Sequence, residues 1–120
     1  MKETVNVNGI AKGGPYSHAV VVDNLIFVSG QTGQVQGKET NFTEQFENAM
    51  KKISAILKEC GSSLEKCAKF CVYMARSEDF QKMNELFGKY FPNNPPARTT
   101  LVAGFVLPEI LVEIDIIASK

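Results

Sequence analysis

The run from Asn41 to Gly61 constrains this chain more than any other stretch. Phe42, Phe46, Ala49, Met50, Ile53, Ile56, Leu57 and Cys60 recur at helical spacing. Asn41-Phe42-Thr43-Glu44 reads as a capping box that starts the helix, and Gly61 ends it. Its other side carries Glu44, Gln45, Glu47, Lys51, Lys52 and Lys58, with Glu47 and Lys51 correctly ordered for an i,i+4 pair. Only one side of this helix is core, so the rest of the chain must supply a surface to cover that side.

Strand-like segments supply it. Thr4 to Gly9 alternates apolar and polar residues and reads as a short edge strand ending in an Asn-Gly turn. Ala19 to Val22 and Leu25 to Ser29 flank Asp23-Asn24, which predicts a tight hairpin of type I′ with both strands buried. Ser29-Gly30-Gln31 closes the second strand, and a residue without Cβ there lets a ligand approach the backbone; an ordinary strand-ending turn is the alternative. Thr32 to Thr40 reads as a surface loop, and Ser62-Ser63-Leu64-Glu65 as the cap of a short helical turn.

Ala68, Phe70, Val72 and Met74 alternate with Cys67, Lys69, Cys71 and Tyr73, a strand with one apolar and one mixed face. A second helix follows from Ser77, with Phe80, Met83, Phe87 and Phe91 toward the core. Asn84 lies on that stripe, either as a buried hydrogen-bonding strut or as a ligand contact. Arg98 to Val102 and Leu111 to Ala118 supply two more strands. In the last, Val112, Ile114 and Ile116 point one way and Leu111, Glu113, Asp115 and Ile117 the other. The order predicts an α+β domain with a mixed sheet and both helices on one face. Its second face, carrying Cys67, Cys71, Tyr73, Leu111 and Ile117, would be partly apolar if bare, which predicts a homo-oligomer.

With 120 residues, 44% hydrophobic and 22% charged, the chain fits one domain spanning 1–120. No segment is apolar for long enough to cross a bilayer, and Met1-Lys2-Glu3-Thr4 does not begin a secretory signal, so a cytoplasmic location is expected. Cys60, Cys67 and Cys71 leave one thiol unpaired in any disulfide scheme and match no zinc spacing, so reduced thiols and no metal are expected. A net charge of zero with two arginines gives no footprint for phosphate backbones.

Chemistry concentrates between Pro95 and Ile116. Arg98 and Glu113 are charges set in apolar sequence, costly to bury without partners. The guanidinium suits a two-pronged grip on a carboxylate or phosphate, while an internal ion pair with Glu113 is the alternative. Upstream, the loop Lys12 to His18 contains Gly13-Gly14-Pro15, and Tyr16 could present its hydroxyl to a ligand or cap the sheet.

Gly14-Pro15-Tyr16-Ser17, Val28-Ser29-Gly30-Gln31, Asn84, Pro96-Ala97-Arg98-Thr99-Thr100 and Val112-Glu113-Ile114 together closely resemble the reactive intermediate deaminase family, RidA/YjgF. The resemblance covers nearly the whole chain. It implies a chorismate-mutase-like fold, related to the ferredoxin-like one, assembled as a homotrimer with active sites in the clefts between subunits. It implies hydrolysis of 2-imino acids and their enamine tautomers, such as 2-iminopropanoate and 2-iminobutanoate, to 2-keto acids and ammonia, with no cofactor. Arg98 would hold the substrate carboxylate and Glu113 the attacking water, with Tyr16, Ser29, Gly30, Asn84 and Thr100 lining the pocket. Bacterial-type members often carry Cys where this chain has Thr100, and the segment Arg98 to Pro108 is one residue longer than the commonest spacing, suggesting a bulge or longer turn. Some relatives in this wider family are reported as endoribonucleases or translation inhibitors. The single histidine, His18, beside an apolar strand, and the lack of a basic stripe argue against that reading here. A non-catalytic carboxylate binder or chaperone-like trimer is the third possibility.

Overall fold

A computed structural model describes residues 1–120. The elements in order are β1 (Lys2–Val5), β2 (Ala19–Val22), β3 (Leu25–Thr32), α1 (Phe42–Glu59), β4 (Cys67–Met74), α2 (Phe80–Tyr90), β5 (Ala97–Val102) and β6 (Val112–Ser119). They form one six-stranded sheet in the order β1-β2-β3-β6-β4-β5. Neighbours are antiparallel except β4 and β5, whose parallel pairing requires the crossover that α2 provides. β6 sits inside the sheet, and its Val112, Ile114, Ile116 and Ala118 are buried while Glu113, Asp115 and Ile117 on its other face are not fully covered.

α1 is the predicted helix. Asn41 caps it reciprocally with Glu44, and Phe42, Phe46, Ala49, Met50, Ile53, Ile56 and Leu57 are buried against the sheet. Gln45, expected on the polar side, is buried instead. Its amide donates to the carbonyls of Thr40 and Glu109 and accepts from the Leu111 N–H, tying the loop before β6 to the helix. The predicted Glu47–Lys51 pair does not form; Glu47 accepts a hydrogen bond from Tyr90 of α2. Phe70 on β4 meets Phe87 and Phe91 edge-on, at centroid distances of 5.0 and 5.7 Å, and so joins α2 to the sheet.

Several boundaries differ from expectation for local reasons. β1 is an edge strand but pairs through Lys2–Val5, and the Asn8-Gly9 turn, with Gly9 at φ 91°, lies beyond it. The hairpin turn has positive φ at Asp23 alone, 53°, so it is not type I′, which needs positive φ at both turn residues. Leu25 and Phe27 are exposed, so only alternate residues of that hairpin are buried. β3 also does not stop at Ser29. It continues to Thr32 through a β-bulge in which Ser29 and Gly30 stand opposite Asp115 alone. A second bulge, at Cys67 and Ala68, turns Cys67 into the core, so Cys71 is the only cysteine on the mixed face. In α2, Met83 and Leu86 are buried, whereas Phe80 is 45% exposed. The β4–β5 register is unbroken from Ala97 to Val102, so β5 carries no bulge.

Gly33 is where the chain leaves β3 and runs under α1. A β-carbon there would collide with the backbone carbonyl of Gln45, which the helix holds in place. Gly33→Ala is therefore expected to destabilise the fold by about 3 kcal/mol, the upper end of ordinary overpacking, seen as a lowered denaturant midpoint. An unchanged midpoint would show that the loop yields freely.

Candidate functional site

Two clusters form around the predicted residues, and strand parity separates them. Glu113 pairs across from Tyr73 on β4, and Asp115 across from Cys71, all on the bare face of the sheet. Arg98 pairs with Phe70, which in turn pairs with Ile116, and both of these are buried beneath the helices. Arg98 and Glu113 therefore project from opposite faces, and no ion pair joins them; the two salt bridges present are Arg76–Asp79 and Lys82–Glu85.

The first cluster is built on the β3 bulge. Gly30 faces the Glu113 side chain so closely that a β-carbon would collide with its carboxylate, so the bulge makes the niche in which that group sits. Ser29 donates its hydroxyl to the carbonyl of Ser17 at 2.7 Å, and its N–H to the His18 carbonyl at 2.9 Å. These bonds hold the Tyr16 loop beside the bulge. The Tyr16 hydroxyl, 44% exposed as a residue, accepts from the Gly13 N–H at 3.0 Å and so closes its own turn.

Partial burial raises the pKa of Glu113, and the negative charge of Asp115 two residues along adds to it. The neighbouring Asp115 carboxylate, together with burial, pushes the Tyr73 hydroxyl up to about 12. The Cys71 thiol is raised by burial and by the same carboxylate, and Cys67 is pushed up to about 12 mainly by burial. All three cysteines are free, and raised values keep these thiols protonated at neutral pH, a poor setting for a nucleophile.

The second cluster lies between β5 and α2. The Arg98 guanidinium stands 4.8 Å above the centre of the Phe87 ring and donates to Met83 Sδ at 3.7 Å. No carboxylate occupies its fork. Thr100 shares that face of β5, and Asn84, beside Met83 on α2, is exposed and makes no side-chain hydrogen bond within the chain. The buried-strut reading of Asn84 is thus overturned. Sequence reasoning missed Phe87 as the platform beneath Arg98, because an aromatic at helical spacing reads only as core. His18 is buried, its Nδ1 accepting from the Val7 N–H at 2.9 Å. A separate cavity of about 550 Å³ near β1, lined by Glu3, Glu59, Cys60 and Lys120 among others, contains none of the predicted residues. No group of three His, Cys, Asp or Glu side chains is arranged to hold a metal, and no helix is long and apolar enough to cross a membrane.

This architecture is the chorismate-mutase-like fold of the YjgF/Rid proteins. RidA from the Antarctic bacterium Psychrobacter superposes with a TM-score of 0.88 at 30% identity, over 98% of this chain and 99% of that one. The family model described as Endoribonuclease L-PSP matches residues 7–120. A RutC family protein of Saccharolobus solfataricus is 39% identical over 113 residues, 89% of this chain and 88% of its own. The human protein named 2-iminobutanoate/2-iminopropanoate deaminase is 33% identical over 109 residues, 88% of this chain and 80% of its own. The chain belongs to the RidA/YjgF family.

A carboxylate whose pKa is raised on folding favours the fold below its unfolded pKa, and that contribution is lost as pH rises through the folded value. At pH 7 the ionised Glu113 is thus a cost to the fold. Glu113→Gln is expected to melt at or above the wild-type temperature at pH 7, with the advantage shrinking as pH falls through the raised folded pKa and gone below the ordinary glutamate pKa of about 4.3. A Tm several degrees lower at pH 7 would mean that the carboxylate has a stabilising partner.

Proposed function

We propose that this protein hydrolyses 2-imino acids, with 2-iminopropanoate and 2-iminobutanoate among its substrates, to 2-keto acids and ammonia. The observation that carries the reading is a guanidinium at Arg98 with no ion pair within its own chain, together with a raised-pKa carboxylate at Glu113, in a chain of this family. The human relative named for this activity supports it. Because the two groups face away from each other within one chain, the complete site needs Arg98, Thr100 and Asn84 from one copy and Ser29, Gly30, Glu113 and the Tyr16 loop from another. A homotrimer with clefts between subunits meets that need. It would also cover the bare sheet face, where Leu25, Phe27 and Leu101 are between 40% and 51% exposed.

The chemistry asks for orientation and proton handling, since the imine carbon is already electrophilic. Arg98 grips the carboxylate in a bidentate pair, helped by a backbone N–H, and holds C2 toward the water on Glu113. The water oxygen bonds to C2, the C=N π pair moves to nitrogen, and Glu113 carries the water's proton to that nitrogen. Glu113 then takes the proton of the new hydroxyl and delivers it to nitrogen, so the C–N bond breaks onto ammonia as the C=O bond forms. Each proton leaves oxygen and arrives on nitrogen, and no side chain forms a covalent bond. A raised pKa suits a group that must accept and release protons near neutral pH, and such help is worth about 10²–10⁴ in rate. Burial of His18 leaves an RNA-cleaving reading without an available histidine.

The test supplies 2-aminoacrylate or its four-carbon homologue, generated in situ, and follows ammonia and keto acid. Wild-type protein is expected to accelerate release, Arg98→Ala to lose nearly all of it, and Glu113→Gln to keep carboxylate binding while losing about 10²-fold or more in turnover. The acid limb of the pH–rate profile should lie above the ordinary glutamate pKa and move down in Asp115→Asn, because one cause of the shift is then removed. Equal release with and without protein would end the deaminase proposal.

A further inference from the structure

We propose that the groove between β5 and α2 receives the side chain of the substrate, and that this chain favours 2-imino acids whose side chains are long and apolar. The inference rests on the deaminase reading and names the part of the substrate that reading leaves open. Arg98, Thr100 and Val102 stand in line on the helix-side face of β5, against Phe70, Val72 and Met74 of β4. α2 runs beside them, with Phe87 and Met83 at the Arg98 end and Phe80 at the Val102 end. A cavity of about 310 Å³ opens there, lined by Met74, Ser77, Phe80, Thr100, Leu101 and Val102.

The groove is thus polarised along its length. One end is a guanidinium with no carboxylate of its own, and the other is an apolar cavity whose polar side chains are the hydroxyls of Ser77 and Thr100. No charged side chain lines the cavity, so an acidic or basic substrate side chain would lose its hydration there without a partner. Thr100 lies two residues from Arg98, about 7 Å at the rise of a strand. A ligand held by its carboxylate at Arg98 therefore has its tail beside the cavity mouth. Phe80 and Val102, 45% and 55% exposed, give that tail apolar surface to bury. This also accounts for Phe80, an aromatic at helical spacing that the core does not absorb.

Straight-chain carboxylates from propanoate to octanoate are unreactive probes of the groove. Calorimetry on the assembled wild-type protein is expected to show affinity rising about fourfold per added methylene, the value for burying one CH₂, until the cavity is full. In Val102→Asn and Phe80→Ser the gain should fall toward onefold per methylene, and Arg98→Ala should lose binding across the series. The kcat/KM ratio for the imine made from leucine over that made from alanine, both generated by an L-amino-acid oxidase, should fall in the same two variants. A flat series in wild-type protein would overturn the proposal and mean that a neighbouring copy fills the groove. Turnover of the alanine-derived imine beside a flat series would leave the deaminase reading standing without the pocket. A rising series without turnover of any imine would sustain the pocket as a carboxylate-tail site and sink the deaminase reading.

Discussion

Alternation of side chains along a strand is the constraint from which the rest of this structure follows. Once Val112, Ile114 and Ile116 are committed to the core under α1 and α2, Glu113 and Asp115 must face the other way. The same parity, carried across β4 to β5, commits Arg98 to the helix side with Phe70 and Ile116. The hydrophobic core thereby decides which charges can meet. It sets the Arg98 guanidinium and the Glu113 carboxylate on opposite faces of the sheet, and the proposed deaminase site would need a second copy of the chain to bring them together.

Each cluster is made by a local departure from regular structure or by an unusual neighbour. The β3 bulge puts Gly30 against the Glu113 carboxylate, so the missing β-carbon is what leaves that carboxylate room. Partial burial and Asp115 then raise its pKa, so the ionised form is a cost to the fold. At the other cluster, the Phe87 ring supports a guanidinium that no carboxylate neutralises. Both arrangements give up stability that an ion pair or a neutral residue would provide, as is common at binding sites.

The three thiols and the histidine take no part in this scheme. The cysteine thiols are held protonated and the histidine is packed beneath the N-terminal segment, so neither is placed to act as a nucleophile. Thr100 contributes a hydroxyl to the groove beside Arg98. The proposed imine substrate, already activated at carbon, would ask of the protein mainly positioning and proton transfer.

Sequence alone was enough to read the capped helix that starts after Asn41, the two-faced last strand, the α+β order, and Arg98 and Glu113 as charges set in apolar sequence. Each was legible because capping and periodicity are local, readable within a few residues. Tertiary packing is what puts Gly30 in a bulge, turns Cys67 inward, buries Gln45 against the loop before β6 and leaves Asn84 exposed. It also decided that Arg98 and Glu113 stand back to back. Register and the face a residue presents depend on which strands pair across the whole sheet, and that is settled by non-local packing that no short stretch of sequence contains.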